Sequence, residues 1–245
     1  MPIQEDVIDL HDDANKEIDN TSDDVLKDIN STNSEVIGII LLMLDSFTRN
    51  LNKTNDIKYE SLRGKITRAR RVGIIAGEET FQSSMQGITK KEAKALQDLL
   101  NSPTLKPDLK KIYNHGSFSG LKYQEWWTKM SDADVNRLVQ TVRFGVSQGQ
   151  TQSEIIANVK RNFKTTNNGA KMLVRTVGNG VINEARVDMF IQAGIELVEY
   201  TAILDGGTSD ICRNLDGKIA PPNEIEVPPL HPNCRSTLVP VIDEE

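Results

Sequence analysis

The residues of this chain best suited to chemistry are two cysteines and a histidine close to its C-terminus. Cys212 lies in the segment SDICRNLDGK, whereas His231 and Cys234 lie in PPLHPNCRST, where three prolines restrict the backbone. Thiolate and imidazole groups are the usual ligands of structural zinc, and a neighbouring cysteine and histidine can also form a nucleophile with its base. The sequence leaves three interpretations open: a metal site, a catalytic pair and a structural corner.

As a metal site, the three side chains would bind zinc, and Asp205 is the candidate fourth ligand. Structural zinc usually has four cysteine or histidine ligands, so a shell completed by a carboxylate or by water would hold the ion less tightly. A disulfide between Cys212 and Cys234 is an alternative in oxidising surroundings. In the structural interpretation, the cysteines are small buried hydrophobic residues and His231 is a hydrogen-bonded corner residue.

The same region predicts a folding clasp, because Arg235 is a suitable ion-pair partner for Asp205 or Asp216. Such a pair would tie the proline-rich loop back onto the LDGK turn, with or without a metal. A catalytic pair is less well supported, since a Pro-Asn turn separates the histidine from the cysteine and no oxyanion-hole motif is evident. We therefore predict that the protein is not an enzyme. A Cys/His-dependent hydrolase or toxin-like enzyme is the remaining alternative.

Charge is distributed unevenly along the chain. The net charge is −6, but residues 1–50 carry −9, residues 51–130 carry +7 and residues 131–245 carry −4. Clustered Lys and Arg are sufficient to neutralise phosphate groups, so the basic block is a candidate site for weak, sequence-independent binding to duplex DNA. An acidic protein surface or plain solvent would suit it as well. Its candidate DNA-binding residues are Arg63, Lys65, Arg68, Arg70 and Arg71.

Composition and length indicate a soluble protein of one or two domains. Of its 245 residues, 26% are charged and 5% are aromatic, so we expect a core built mainly from Leu, Ile and Val. The longest apolar run, from Val36 to Leu44, is shorter than the roughly 20 residues that a membrane-spanning helix needs. No signal peptide is visible at the N-terminus, and two cysteines do not make a secreted disulfide framework. We expect synthesis in a reducing cytoplasm and no membrane insertion.

Hydrophobic periodicity predicts helices over roughly the first 190 residues. The stretch 34–51 is apolar on nearly every side, so it should be buried in a bundle or against a partner. Pairs of a hydroxyl and an acidic residue three positions apart form capping boxes. They predict helix starts at Thr89, Ser131 and Thr151, whose acidic partners are Glu92, Asp134 and Glu154. A further helix from about 169 to 193 should end at Gly194, a natural C-cap.

After Gly194 the pattern changes to short β-strands. The segment ELVEYTAIL alternates and predicts a strand, and KIAPP and STLVPVI predict two more, with a short helix within DGGTSDICRNLDGK. We therefore predict a fold that is mainly α with a small C-terminal α+β unit, closed by the proline-rich loop. The expected domains are an acidic helical region (1–50), a basic helical region (51–130) and a C-terminal domain (131–245).

The order of the C-terminal pieces resembles the phage Mu F-like family, which comprises head morphogenesis, or minor head, proteins of tailed phages. The resemblance covers roughly residues 131–245 and begins with the helix-turn-helix segment VSQGQTQSEI. It is most specific at Gly194 and Ile195, in the LDGK run Leu215–Lys218 and in the HPNCR run His231–Arg235. Residues 131–245 are thus identified as a head morphogenesis domain.

This sequence departs from the family pattern at three positions. Ser209 and Ser236 stand where many members have cysteines, and Val177 follows the RT pair where a glutamate is usual. A member with both additional cysteines could supply a full set of zinc ligands, whereas this chain keeps three. The departures therefore weaken the prediction of bound zinc.

The resemblance implies a structural protein of the virion. It would be made in the host cytoplasm and would lie in the capsid interior at the portal vertex. There it would bind the portal protein and act in head assembly, DNA packaging or genome delivery. Double-stranded DNA, the major capsid protein and the scaffolding protein are further candidate partners. The main alternative is an internal virion protein that binds DNA without sequence specificity.

Overall fold

A computed structural model of the protein describes residues 2–47 and 53–242. Most of these residues are helical, and together with a small C-terminal sheet they confirm the predicted fold class. None of the helices within the described ranges is long and apolar enough to cross a bilayer. The helices are α1 (Pro2–Ser31), α2 (Asn33–Leu44), α3 (Lys53–Leu99), α4 (Leu109–His115), α5 (Tyr123–Ser147), α6 (Gln152–Gln192) and α7 (Asp210–Leu215).

The strands form two small antiparallel sheets. β1 (Ser117–Phe118) and β2 (Leu121–Lys122) make a hairpin, and β3 (Leu197–Thr201) lies between β4 (Ile219–Ala220) and β5 (Thr237–Val241) in a three-stranded sheet. All three strands predicted after Gly194 are confirmed, as is the short helix α7 between them. Alternate side chains of β3, Val198 and Tyr200, are fully buried, as expected for a sheet that covers a core with one face.

α6 starts and ends as the sequence predicts. The Glu154 amide donates to Thr151 Oγ1 at 3.3 Å and the Thr151 amide donates to Glu154 Oε2 at 2.7 Å, which is the predicted capping box. Gly194 follows the helix with a φ of +74°, a conformation that glycine adopts without steric cost. The sequence predicted two helices, near 151–163 and 169–193, and this was wrong. The stretch between them contains no proline, so the backbone hydrogen bonds continue and α6 is a single helix.

The other two predicted helix starts were also wrong. Thr89 lies inside α3 and Ser131 lies inside α5, so neither residue caps a helix. The Thr89 hydroxyl donates to a carbonyl oxygen of its own helix at 2.6 Å. The acidic residues that suggested the boxes, Glu92 and Asp134, are buried, and each forms an ion pair with an arginine. Each of these acids neutralises a buried arginine and does not cap the start of a helix.

The chain forms two compact units, each built from separated segments. Unit 1 comprises Met1–Ser22, Phe81–Glu125 and Met172–Glu245, and unit 2 comprises Asp23–Thr80 and Trp126–Lys171. Unit 1 contains 23 acidic and 13 basic residues, whereas unit 2 contains 12 acidic and 16 basic residues. Unit 2 therefore has a net positive charge and unit 1 a net negative charge. The basic residues of unit 2 come from segments that are far apart in sequence.

Unit 2 has a core of aliphatic and aromatic side chains from α2, α3, α5 and α6. α2 contributes Val36 and Ile40, which are both fully buried. The opposite side of the helix is not covered by this chain, since Leu42 is 85% exposed. Burial of that side against a partner stays a prediction. Residues 48–51 of the predicted segment lie outside the described residues.

The two faces of α2 give a direct test of this core. Ile40→Asp places a charge in an apolar interior, where burial without a partner is costly, and should lower the free energy of unfolding by more than about 3 kcal/mol. The matched variant Leu42→Asp changes an exposed position two residues away and should alter stability by less than about 0.5 kcal/mol. Urea denaturation followed by circular dichroism measures both. Equal effects of the two variants would contradict the assigned orientation of α2.

Candidate metal and thiol site

α7 places the first cysteine of the candidate site. The helix follows β3, and its N-cap residue is Ser209. The Ser209 hydroxyl accepts a hydrogen bond from the Cys212 amide at 3.3 Å. Serine is a favoured N-cap residue because its oxygen satisfies an amide that has no partner within the helix. The Cys212 side chain is completely buried. The serine that replaces a family cysteine thus helps to fix the orientation of the remaining one.

The proline-rich loop places His231 and Cys234. Asn233 adopts a left-handed φ of +56°, and its amide donates to Thr176 Oγ1 of α6 at 3.0 Å. The turn is closed by the Cys234 amide, which donates to the His231 carbonyl at 3.2 Å. Asparagine tolerates the left-handed conformation better than most residues, so the Pro-Asn pair permits the chain to reverse here. The reversal brings the histidine and the cysteine to the same side of the loop.

The structure brings the three predicted ligands together. The sulfur atoms of Cys212 and Cys234 are 3.7 Å apart, and one ligand atom from each of Cys212, His231 and Cys234 lies within 4.8 Å of the others. Two sulfurs bound to one tetrahedral zinc at about 2.3 Å would be about 3.8 Å apart. The thiol pair therefore has the spacing that zinc requires, which is also the spacing of two thiols in direct contact.

The histidine has a free ring nitrogen for a ligand. His231 Nδ1 lies 2.9 Å from the Pro232 carbonyl oxygen, and a carbonyl only accepts hydrogen bonds, so Nδ1 carries the proton. Nε2 then keeps its lone pair, which is the usual arrangement of a zinc-binding histidine whose second nitrogen is held by the backbone. The donor set of two sulfurs and one imidazole fits zinc and leaves the fourth position to water or another group.

The two cysteines differ in acidity. Burial raises the pKa of the Cys212 thiol, but hydrogen bonds with Ser236, Tyr200, Ser209 and Cys234 outweigh that effect and lower the pKa to about 7. Burial raises the pKa of Cys234 above its ordinary value. The pair is thus suited to a state in which Cys212 is the thiolate and accepts a hydrogen bond from the Cys234 thiol. A metal or an oxidant would react first at the Cys212 sulfur, since the thiolate is the reactive form.

Asp205 does not lie in this cluster, so the prediction that it is the fourth ligand was wrong. Its carboxylate forms an ion pair with Arg235 and accepts from the Gly207 amide at 2.8 Å. The hydrogen bond from Arg235, followed by that from Gly207, lowers the pKa of Asp205. Asp216 instead accepts from the Ala202 amide at 2.8 Å. The Arg235–Asp205 pair is about half exposed, so solvent screens it and it adds little to stability.

A buried hydrogen-bond network, which was not predicted from the sequence, contributes more than this ion pair to holding β5 against α6. Arg186 of α6 donates two hydrogen bonds to the Glu92 carboxylate, both at 2.9 Å, and a third to Thr237 Oγ1 at 2.6 Å. Asn183, one turn earlier, donates to the Ser236 carbonyl at 3.2 Å and accepts from Thr237 Oγ1 at 3.0 Å. These contacts hold the first residues of β5 against α6. The available sequence signal was the polar series Asn179, Asn183 and Arg186, at intervals of three or four residues in α6.

A catalytic role for the Cys/His pair has little support in this geometry. Cys212 is 0% exposed and Cys234 is 2% exposed, so a substrate cannot reach either sulfur without an opening of the loop. A nucleophile also needs its base within hydrogen-bond reach, whereas the described partners of the Cys212 sulfur include Tyr200 Oη at 3.2 Å and the other sulfur. The arrangement is suited to holding an ion or the loop itself.

The predicted DNA-binding set loses one member. Arg70 is 1% exposed, and its Nε lies 2.7 Å from Asp134 Oδ2 in a buried ion pair. Its Nη1 also donates to Thr32 Oγ1 at 3.0 Å and to Asn33 Oδ1 at 2.6 Å. A guanidinium held in this way cannot contact a phosphate group. The prediction that Arg70 binds DNA was therefore wrong.

The other four basic residues remain at or near the surface. Lys65, Arg68 and Arg71 are exposed, and their spacing places them on one side of α3. Arg63 is partly buried and donates to Asn136 Oδ1 of α5. Three basic side chains are thus available for a polyanionic or acidic partner.

The comparison with known proteins agrees with the resemblance drawn from the C-terminal motifs. Residues 136–239 match the model of a family described as phage Mu protein F like protein. No curated protein and no solved structure matches the chain. The matched residues include Cys212, His231 and Cys234, and the match confirms the family resemblance of this segment.

Metal analysis distinguishes the interpretations of the thiol site. If the site holds zinc, protein purified without chelator should contain about one equivalent, and chelation should lower the melting temperature because metal binding is coupled to folding. Cys234→Ser should abolish the bound zinc, and His115→Ala, at an exposed histidine outside the cluster, should not. Less than roughly a tenth of an equivalent, with no effect of chelator on melting, would leave the metal-free clasp. Loss of both thiol hydrogens in the intact mass would indicate a disulfide instead.

Proposed function

We propose that this chain, whose residues 136–239 match the phage Mu protein F like family, is a minor head protein of a tailed phage. It acts as a structural and interaction protein of the virion. It binds the portal protein inside the capsid and serves head assembly, DNA packaging or genome delivery. The family match carries the proposal, because it covers α6, most of the C-terminal sheet and the loop with the thiol cluster.

The construction of the matched segment supports a structural role. Its Arg186 is completely buried and forms hydrogen bonds with other side chains of the protein. Its thiols are buried as well, and the half-exposed ion pair Arg235–Asp205 joins the loop to the turn after β3. Such groups hold the polypeptide together rather than meeting a substrate.

The candidate interaction surface is the exposed side of α3 in unit 2, which we call the α3 face. It combines apolar with basic side chains that helical spacing places on one side. Ile57 is 71% exposed, Val72 65% and Ile75 44%. The basic members are Lys65, Arg68 and Arg71. Exposed apolar clusters mark protein interaction sites, and the basic groups among them favour an acidic partner surface. We assign this face to the portal or to another head protein.

Duplex DNA is a second candidate partner for the α3 face. Three phosphate contacts would give a slope of about −2.7 in a plot of log affinity against log salt concentration. Three large apolar side chains among the basic ones are poorly suited to the surface of a duplex. This mixture favours the protein partner over DNA.

One variant distinguishes the two partners. Replacing Lys65, Arg68 and Arg71 together with Ala should greatly reduce entry of the protein into procapsids, because it removes the charges that attract an acidic surface. The melting temperature should not change, since all three side chains are exposed. The protein is co-expressed with the portal, major capsid and scaffolding proteins of the same phage, and its amount per procapsid is measured by quantitative mass spectrometry.

A charge-matched control, Lys90, Lys94 and Lys110 replaced with Ala, removes three exposed cations from unit 1 and should leave procapsid entry unchanged. If the α3 variant enters procapsids normally but loses affinity for duplex DNA, the DNA-binding role is favoured instead. If the unmodified protein neither enters procapsids nor binds the portal, the proposed head function is contradicted.

A further inference from the structure

A groove between α5 and α6 in unit 2 has no role in the function proposed above. It has a volume of about 650 Å³, within the range of ligand-binding sites. Two arginines, several amide side chains and one aromatic ring line it, and no acidic residue is found among the lining positions in the described part of the chain. The main members are Arg137, Arg161, Gln140, Asn158, Asn162 and Phe144. This lining is suited to an anionic ligand with hydrogen-bonding edges.

The groove continues along α5 as a stripe that has an aromatic residue at each end, Trp126 and Phe144, and the cations Lys129 and Arg137 between them. Positions 126, 129, 133, 137, 140 and 144 follow one another at intervals of three or four residues, so they share one side of the helix. At the start of this stripe Lys129 Nζ lies 4.8 Å from the centre of the Trp126 ring, and at its end Phe144 is 60% exposed. At 1.5 Å per residue the stripe is about 27 Å long. That length suits a short polymer better than a single small molecule.

Rings and cations on one side of a helix are the combination that suits single-stranded nucleic acids. Aromatic side chains stack on unpaired bases, and Arg and Lys neutralise the phosphates between them. In a duplex the bases are already stacked on one another, so an exposed ring gains little from it. The residues that define the α3 face are basic and aliphatic, and none of them has an aromatic ring. That face therefore suits a different ligand from this stripe.

We propose that the α5–α6 groove and the stripe that extends it bind single-stranded nucleic acid. Phe144 stacks on a base, Arg137 and Arg161 contact phosphates, and the amides of the groove form hydrogen bonds with base edges. Contacts of this kind tolerate many sequences, because every base has a flat face and every nucleotide a phosphate. The proposal does not depend on the head function and concerns a different surface from the α3 face.

Fluorescence anisotropy with a labelled oligodeoxythymidine tests the proposal on the full-length protein. Phe144→Ala should weaken binding by roughly 5- to 150-fold, the range found when a stacking ring is removed. Phe144→Leu should weaken it similarly, because an apolar side chain without a ring cannot replace stacking. Arg161→Ala should weaken binding and reduce the salt slope by about 0.7, the value for one phosphate contact on a single strand.

Lys160→Ala is the matched control, since it removes the same charge one residue away on α6 and is not part of the groove lining. It should change affinity far less than Arg161→Ala. An unlabelled duplex of the same length should compete weakly. Three results would overturn the proposal. The oligonucleotide does not bind, the Phe144 variants bind it as tightly as the unmodified protein, or duplex DNA competes as well as the single strand. Loss of procapsid entry in Phe144→Ala without any binding to the oligonucleotide would assign the groove to a protein partner and overturn it as well.

Discussion

Arg186 is completely buried on α6, where it donates two hydrogen bonds to Glu92 of α3 and one to Thr237 of β5. Removing one partner of such a pair costs about 3–5 kcal/mol, because the other charge is left in the interior. Thr237 is the first residue of β5, and β5 pairs with β3 along its whole length. The position of the sheet on α6 thus depends on this arginine, and so does the loop that ends at β5 and carries His231 and Cys234.

The sequence predicted the C-terminal unit more successfully than the helical region. Alternation and turn residues act over a few positions, so the three strands, α7 and the Gly194 end of α6 could be found from local pattern. The capping boxes at Thr89 and Ser131 failed for a tertiary reason. Glu92 and Asp134 pair with arginines that are distant in sequence, and the spacing of hydroxyl and acid alone does not distinguish a capping acid from a buried one. The real box at Thr151 differs in that Gly149, with a φ of +68°, precedes it and reverses the chain.

The candidate sites show the same limit. Proximity of Cys212, His231 and Cys234 followed from motif order. The sequence also offered Asp205 both as a metal ligand and as the partner of Arg235, and only the structure shows that its carboxylate pairs with the arginine. Of the five clustered basic residues, helical spacing alone could not identify Arg70 as the buried one, because its partner Asp134 lies on α5. The groove with Phe144 could not be seen in sequence at all, since six of its nine lining residues lie on α5 and three on α6. What results is an acidic unit with a thiol cluster and a basic unit with two different candidate surfaces for partners.

The central claim, that the buried Arg186–Glu92 pair holds the C-terminal loop in place, is tested most directly by the reactivity of Cys234. In chelator-treated protein the rate of modification by Ellman's reagent reports how often the loop opens. Glu92→Gln should raise that rate by at least about tenfold, the effect of a loss of about 1.4 kcal/mol, while circular dichroism stays native. Glu17→Gln, which removes a carboxylate from the exposed Lys91 pair, should leave the rate unchanged. An equally protected Cys234 in both variants would contradict the account.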